Sequence, residues 1–139
     1  EKSKLELSKQ LALLVFNEAI GRYGQGLKNE QMILEDLANI FTDLFVLESA
    51  LQRVTQKWED KNGYRPIEKK IARVLTIETV DRVLNLSKKI ILGSTPKVEQ
   101  AKTFEKYLSI QSNLVIHDDV YALKRAIAED LYTFEVYPF

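Results

Sequence analysis

Apolar residues recur at three- and four-residue steps along almost the whole chain, and this spacing predicts amphipathic α-helices. Glycine and proline are scarce, at five and three residues, and they fall where the pattern breaks. Because short connections favour antiparallel neighbours, we predict an all-α fold, an up-down antiparallel bundle of four to five helices. The predicted helices span residues 3–23, 30–61, 66–92, 96–112 and 119–134.

The second predicted helix has the strongest pattern. A heptad seam alternates steps of four and three residues, and its members are Ile33, Leu37, Ile40, Leu44, Leu47, Leu51, Val54 and Trp58. A second stripe widens the apolar face and consists of Leu34, Ala38, Phe41 and Phe45. We expect this helix to be central in the bundle, with the seam serving either as core or as a surface that docks a partner.

The other helices are each expected to bury one face. The first is predicted to bury Leu7, Leu11, Leu14, Val15, Ala19 and Ile20. The fourth is predicted to bury Val98, Ala101, Phe104, Leu108 and Gln111, and the fifth Val120, Leu123, Ile127 and Leu131. The apolar segment 134–139 is expected to dock on the bundle or on something that the bundle contacts.

Helix ends are predicted from residues that favour caps and turns. Gly24 or Gly26 is expected to end the first helix, because glycine adopts the left-handed conformation without steric penalty. Asn29 is expected to cap the second helix, and Asp118 or Asp119 the fifth. The remaining starts are assigned to prolines at the first helical turn, namely Pro66 and the pair Thr95-Pro96.

Length and composition fit one domain over residues 1–139, because 45% of the residues are hydrophobic and can form a core of ordinary size. Twenty basic and twenty acidic residues cancel, so nothing indicates nucleic-acid binding. The absence of cysteine excludes disulfides and thiolate chemistry. With neither an apolar run long enough to cross a bilayer nor a signal peptide, the sequence predicts a soluble chain. A first residue other than methionine, Glu1, suggests a piece excised from a longer polypeptide.

The sequence offers little chemistry. A di-metal bundle site needs two Glu-x-x-His pairs, but the single histidine, His117, has Leu114 three positions before it. A lone loop histidine without a nucleophile motif is more often incidental than catalytic. Gly24-Gln25-Gly26 lacks the third glycine and preceding strand of a phosphate cradle, so it is interpreted as a helix stop. We therefore predict no catalytic, cofactor-binding or metal-ligating residue in this chain.

Two basic groups on the third predicted helix, 69–73 and 88–89, are interpreted as a solvated face rather than as an anion-binding patch. The acidic residues expected to dilute them are Glu68, Glu78 and Asp81.

The second helix and its approach resemble the carboxy-terminal extension of very-long-chain acyl-CoA dehydrogenases. In that extension a short glycine-containing turn leads into Asn-Glu-Gln, then an Arg- or Asp-Leu-Ala-Asp/Asn step, then an Asp-Leu-Tyr/Phe step. The matching pieces here are Asn29-Glu30-Gln31, Asp36-Leu37-Ala38-Asn39 and Asp43-Leu44-Phe45. More loosely, residues 72–86 resemble the family's next helix, and Val136-Tyr137-Pro138-Phe139 is similar to its ending.

The resemblance implies a parent flavoenzyme that oxidises long acyl-CoA thioesters with FAD and passes electrons to an electron-transfer flavoprotein. It also implies that the catalytic and flavin-binding residues precede Glu1, and that the present bundle packs on those catalytic domains in a homodimer. The family's membrane-contacting segment does not map onto this sequence. The expected location is cytoplasmic in a bacterium and mitochondrial in a eukaryote.

A second interpretation rests on the heptad seam alone: a stand-alone helical module that binds a partner helix or dimerises. An enzyme in its own right is the third, and only His117 and scattered carboxylates favour it.

Overall fold

The computed structural model describes residues 2–59 and 66–132, although not the side chains of 57–59 and 66. The described residues form no strand, and the predicted all-α bundle is confirmed. Its elements are α1 (Lys2–Tyr23), a 3-10 helix (Gly24–Asn29), α2 (Gln31–Glu59), α3 (Pro66–Ser94), α4 (Lys97–Leu114) and α5 (Val120–Tyr132). Each helix bound within the described residues lies within two residues of its predicted position. The predicted helix ends at 61 and 134 and the segment 134–139 lie outside the described residues.

Cross-helix contacts fix the directions of α1 to α4. Between α1 and α2, Phe16 meets Phe41 while Lys9 meets Glu48, so residue numbers rise on one helix as they fall on the other. Asp36–Lys89 and Asp43–Arg82 show the same for α2 and α3, as do Leu84–Tyr107 and Leu92–Gln100 for α3 and α4. Neighbours in the chain that pack together are therefore antiparallel.

The central helix is α3, which contacts α1, α2, α4 and α5, whereas α2 contacts only α1, α3 and the 3-10 helix. The expectation that the second helix would be central is therefore wrong. Burial around much of the circumference of α3 explains the difference, since its buried residues include Ala72, Val74, Thr76, Ile77, Thr79, Val80, Val83, Leu84, Ser87, Ile90 and Ile91. Most of these side chains are small or β-branched, so neighbouring helices can approach closely.

Two helix starts differ from their predicted caps. Asn29 ends the 3-10 helix, and it is the Glu30 carbonyl oxygen that accepts the hydrogen bond from the Leu34 N–H in the first turn of α2. Thr95 does not cap α4, because its hydroxyl donates to Glu18 of α1 (3.0 Å). Pro96 occupies the N-cap position instead. The Thr95 hydroxyl thus forms a contact between helices that sequence spacing does not reveal.

Other ends match their expected residues. Gly24 has φ +52°, the left-handed conformation expected after α1. Asp119 caps α5 by accepting a hydrogen bond from the Ala122 N–H (3.1 Å). Its neighbour Asp118 pairs with Arg73 of α3, and the hydrogen bond from that guanidinium lowers the pKa of the Asp118 carboxyl. Pro66 is the first residue of α3.

The inward face of α4 differs from the predicted one. Val98 is 95% exposed, Ala101 and Leu108 are exposed as well, and Phe104 and Gln111 are half-buried. The buried residues are instead Thr103, Tyr107 and Leu114. Two polar contacts determine this orientation: Thr103 donates to Glu18 (3.4 Å), and the Tyr107 hydroxyl donates to the Leu84 carbonyl oxygen (3.0 Å).

Buried serine hydroxyls occur at helix contacts in the core. Among the residues that the structure describes, the Oγ atoms of Ser8 and Ser87 have no hydrogen-bond partner, although both side chains are fully buried. A buried polar group without a partner retains its desolvation penalty, which is about 1 to 3 kcal/mol. These hydroxyls therefore reduce stability, while their small volume keeps the helices close.

Ser87→Ala is expected to raise the free energy of unfolding by about 1 kcal/mol beyond the gain from helix propensity alone. Urea unfolding followed by circular dichroism measures the change. Ser49→Ala, at an exposed position inside α2, is the matched control for propensity. An equal increase in the free energy of unfolding for the two variants would contradict the assignment of a desolvation penalty to the Ser87 hydroxyl.

Candidate docking surface on α1 and α2

The heptad seam of α2 points mainly into the bundle. Leu37, Ile40, Leu44 and Leu47 are buried, and they join one cluster with residues of α1, α3 and α4. Ile33, Leu51 and Val54 are half-buried at the two ends of the seam. The side chain of Trp58 lies outside the described residues. That the seam also contributes to contacts with another chain stays a prediction.

The second stripe of α2 faces outward. Phe45 is 69% exposed, Phe41 is 42% exposed, and Ala38 is exposed beside them, whereas Leu34 is half-buried. These positions recur at four- and three-residue steps, so they share one side of the helix. The stripe that was expected to widen the apolar face of α2 thus presents large apolar side chains on the surface.

The first helix extends this apolar area. Leu13 is 56% exposed, Ile20 is 43% exposed, and Phe16 is half-buried between them. The rings of Phe16 and Phe41 meet edge to face with centroids 5.9 Å apart, which joins the two helices into one continuous surface. We call it the α1/α2 apolar surface, and it consists of Leu13, Phe16, Ile20, Leu34, Ala38, Phe41 and Phe45.

Part of this surface could have been found from the sequence. Leu13, Phe16 and Ile20 are separated by steps of three and four, which is a second stripe on α1. Ile20 was predicted to be buried with Ala19, but the core of α1 is formed by Leu5, Ser8, Leu11, Ala12, Val15 and Ala19. Ile20 lies at the rim of this core instead, where it is 43% exposed.

Charged residues border the apolar surface at one end. Lys9 of α1 donates a hydrogen bond to Glu48 of α2 (3.0 Å) and lies 3.6 Å from Glu6. The hydrogen bond to Glu48 raises the pKa of Lys9. Beyond this ion pair is a groove of about 630 Å³, whose lining includes Leu5, Leu51 and Val54. The apolar surface thus has a polar rim on this side, as protein interfaces commonly do.

The cationic groups of α3 do not form a free patch. Lys70 pairs with Asp130 (2.9 Å), Arg73 with Asp118 (2.8 Å), and Lys89 with Asp36 (3.6 Å). Of the acidic residues expected to offset them, Glu78 pairs instead with Lys124 of α5 (3.6 Å). These partners lie on α2, on α5 and, for Asp118, in the connection that leads into α5, so the charges join α3 to other parts of the bundle.

The histidine, the acidic side chains and the glycine-containing turn do not come together into a catalytic or metal site in the described part of the chain. His117 is exposed in the connection between α4 and α5. Across the described part of the chain, no cluster of three or more histidine, cysteine or acidic side chains could hold a metal ion. The sequence Gly24-Gln25-Gly26 belongs to the 3-10 helix that links α1 to α2. Among the described residues, the clustered exposed apolar side chains of α1 and α2 are therefore the candidate site, and their chemistry is that of a docking site.

Comparisons with known proteins identify one matching family. The family model described as "Acyl-CoA dehydrogenase, C-terminal domain" matches residues 7–108, which cover most of α1, all of α2 and α3, and α4 as far as Leu108. No curated protein and no solved structure matches the chain. None of the helices in the described ranges is long and apolar enough to cross a membrane.

Proposed function

The chain belongs to the acyl-CoA dehydrogenase C-terminal domain family, and from this premise we propose that it is the non-catalytic carboxy-terminal bundle of an FAD-dependent, very-long-chain type enzyme. In this proposal residues 1–139 are one domain of a longer chain, and the catalytic domains precede them. The match to residues 7–108 supports the family. The Asn29 to Phe45 resemblance supports the very-long-chain type.

The proposed role of the bundle is to pack on the catalytic domains through the α1/α2 apolar surface and so to support assembly. The exposed Phe41 and Phe45 carry this proposal, because large apolar groups clustered on a small domain usually mark an interaction site. Aromatic residues are also enriched at the centres of interfaces, where they become fully desolvated. The Lys9–Glu48 pair would then lie at the rim.

The described residues do not suit FAD. A flavin nucleotide needs backbone N–H donors for its phosphates and an enclosed site for its ring. The groove beyond Lys9 and Glu48 is lined by side chains of α1, α2 and α3, and its described lining residues include no glycine-rich turn that could cradle a phosphate. In this proposal FAD and the reacting residues therefore belong to the catalytic domains of the parent chain.

For the parent we propose a homodimer that passes electrons from long acyl-CoA substrates to an electron-transfer flavoprotein. Its compartment would be the cytoplasm of a bacterium or the mitochondrion of a eukaryote. A gene that encodes no flavin-binding domains ahead of Glu1 would refute the assignment to a dehydrogenase.

Phe45→Glu is expected to weaken binding of this domain to the separately expressed catalytic domains at least about tenfold, because the variant places a charge in the desolvated centre of the interface. Isothermal titration calorimetry measures the affinity. Val98→Glu is the matched control, since it adds the same charge at an exposed apolar position on α4, outside the α1/α2 apolar surface. It should bind like the unaltered domain.

The same pair of variants tests the alternative of a stand-alone interaction or dimerisation module, which the exposed aromatic side chains would also suit. If the unaltered domain self-associates through Phe45 and does not bind catalytic domains, the module is favoured and docking on a dehydrogenase is refuted. If both variants bind equally well, the α1/α2 apolar surface is not the interface.

A further inference from the structure

The last helix is attached to the bundle by one neighbour. Of the described helices, α5 contacts only α3, and none of its 13 residues is fully buried. Its apolar side chains Leu123, Ile127 and Leu131 are half-buried along one face. A helix of this length is marginal by itself in water, so α5 depends on that contact for its structure.

The face of α3 under α5 is distinct from the main core. Ile67, Val74 and Ile77 are buried, but they do not belong to the cluster that joins α1, α2, α3 and α4. They recur with Lys70 at steps of three and four, so all four positions share one side of α3. Because Lys70 pairs with Asp130, this side is the one that α5 covers. We call these four residues the α5 seat.

Charges around the α5 seat select the helix that fits it. The α3 side carries Lys70, Arg73 and Glu78, and the α5 side presents Asp130, Asp118 and Lys124 to them in turn. The Arg73 pair uses two nitrogens, with Nε to Oδ2 at 2.8 Å and Nη2 to Oδ1 at 3.2 Å. An apolar stripe flanked by two acidic residues and one basic residue therefore suits this site.

The connection to α5 is non-helical. Residues 115–119 lie between α4 and α5, and Val115 has ψ 129°, which is extended backbone. Fully extended, five residues span about 17 Å, which is more than the separation of two packed helices. The family match ends at Leu108, before this connection begins.

We propose that the α5 seat is an exchangeable helix-binding site and that its second occupant is α5 of another copy of this chain. The exchanged helix reproduces the apolar contacts of α5 with α3 and the Lys70–Asp130 and Glu78–Lys124 ion pairs, so the two forms differ mainly in the 115–119 connection, which includes Asp118, and in the entropy of association. Exchange is expected where two copies are held together at a high local concentration. This surface is separate from the α1/α2 apolar surface and does not depend on the dehydrogenase assignment.

Two charge-reversed chains test the exchange. One carries Lys70→Asp with Arg73→Asp on α3, and the other carries Asp118→Lys with Asp130→Lys around α5. Within either chain the reversed charges repel, whereas exchange between the two chains restores opposite charges at both sites. We expect the mixture to dimerise with a dissociation constant at least about tenfold below that of either variant alone, as measured by sedimentation equilibrium at low salt.

The control chain carries all four substitutions, so its own α5 again meets opposite charges, and it should remain as monomeric as the unaltered chain. All chains also carry Phe45→Glu, which removes association through the α1/α2 apolar surface. Circular dichroism verifies that each variant is folded.

Zero-length carbodiimide cross-linking of a mixture of ¹⁵N-labelled and unlabelled unaltered chains gives a second readout. Lys70–Asp130 peptides of mixed isotope composition are expected at high protein concentration. A mixture of charge-reversed chains that dimerises no better than its components, or cross-linked peptides of a single isotope only, would overturn the proposal.

Discussion

Leu47→Asp will leave the chain without a stable fold, whereas Phe45→Asp, two residues away on the same helix, will leave it folded. Leu47 is fully buried in the core cluster, while Phe45 is largely exposed. An unpaired carboxylate at position 47 would lose water without gaining a partner, and the leucine contacts would also be lost. We expect a loss of more than about 4 kcal/mol, a large part of the about 5 to 15 kcal/mol that stabilises a typical domain.

Circular dichroism and urea unfolding distinguish the two variants. Leu44→Asp provides a second core position and should behave like Leu47→Asp, because Leu44 is buried in the same cluster. If Leu47→Asp kept its helical signal and unfolded at the same urea concentration as the unaltered chain, the seam of α2 would not be core. Unfolding by Phe45→Asp would place the second stripe inside the bundle and refute the docking surface.

The helices themselves were predictable because apolar spacing and helix-breaking residues lie within one segment of sequence. Glycine and proline marked the breaks, and the bounds followed within two residues in the described ranges. The two stripes of α2 were also visible from the sequence. What spacing could not decide was which stripe faces the neighbouring helices, since Leu44 and Phe45 are equally apolar. That choice depends on the shapes of α1 and α3.

The candidate surface was only half predictable for the same reason. Its α2 part was recognised as apolar and was expected to widen the apolar face. Its α1 part was overlooked, because Leu13 stood outside the stripe assigned to the core. The basic residues of α3 show a related limit. Charge runs reveal composition, but the partners of Arg73 and Lys70 lie 45 and 60 residues further along the chain, at Asp118 before α5 and at Asp130 within it.

The fourth helix was the least predictable, since its buried face includes polar groups. Thr103 is buried, and its hydroxyl donates to Glu18, while Val98 is exposed. Hydrophobicity alone ranks valine above threonine for burial. Because Glu18 of α1 accepts hydrogen bonds from Thr95 and Thr103, α4 is oriented with Tyr107 inward and Val98 outward.

This orientation predicts a large difference between two leucines of α4. Leu114 is fully buried and belongs to the core cluster, whereas Leu108, on the face expected from the sequence to be buried, is 48% exposed. Leu114→Ala should lower the free energy of unfolding by about 3 kcal/mol, through lost apolar transfer and a cavity where α4 ends. Leu108→Ala removes the same atoms from a partly solvated site and should cost less than about 1 kcal/mol. Urea unfolding measures both, and a larger loss from Leu108→Ala would mean that α4 is rotated toward the face that the sequence pattern favours.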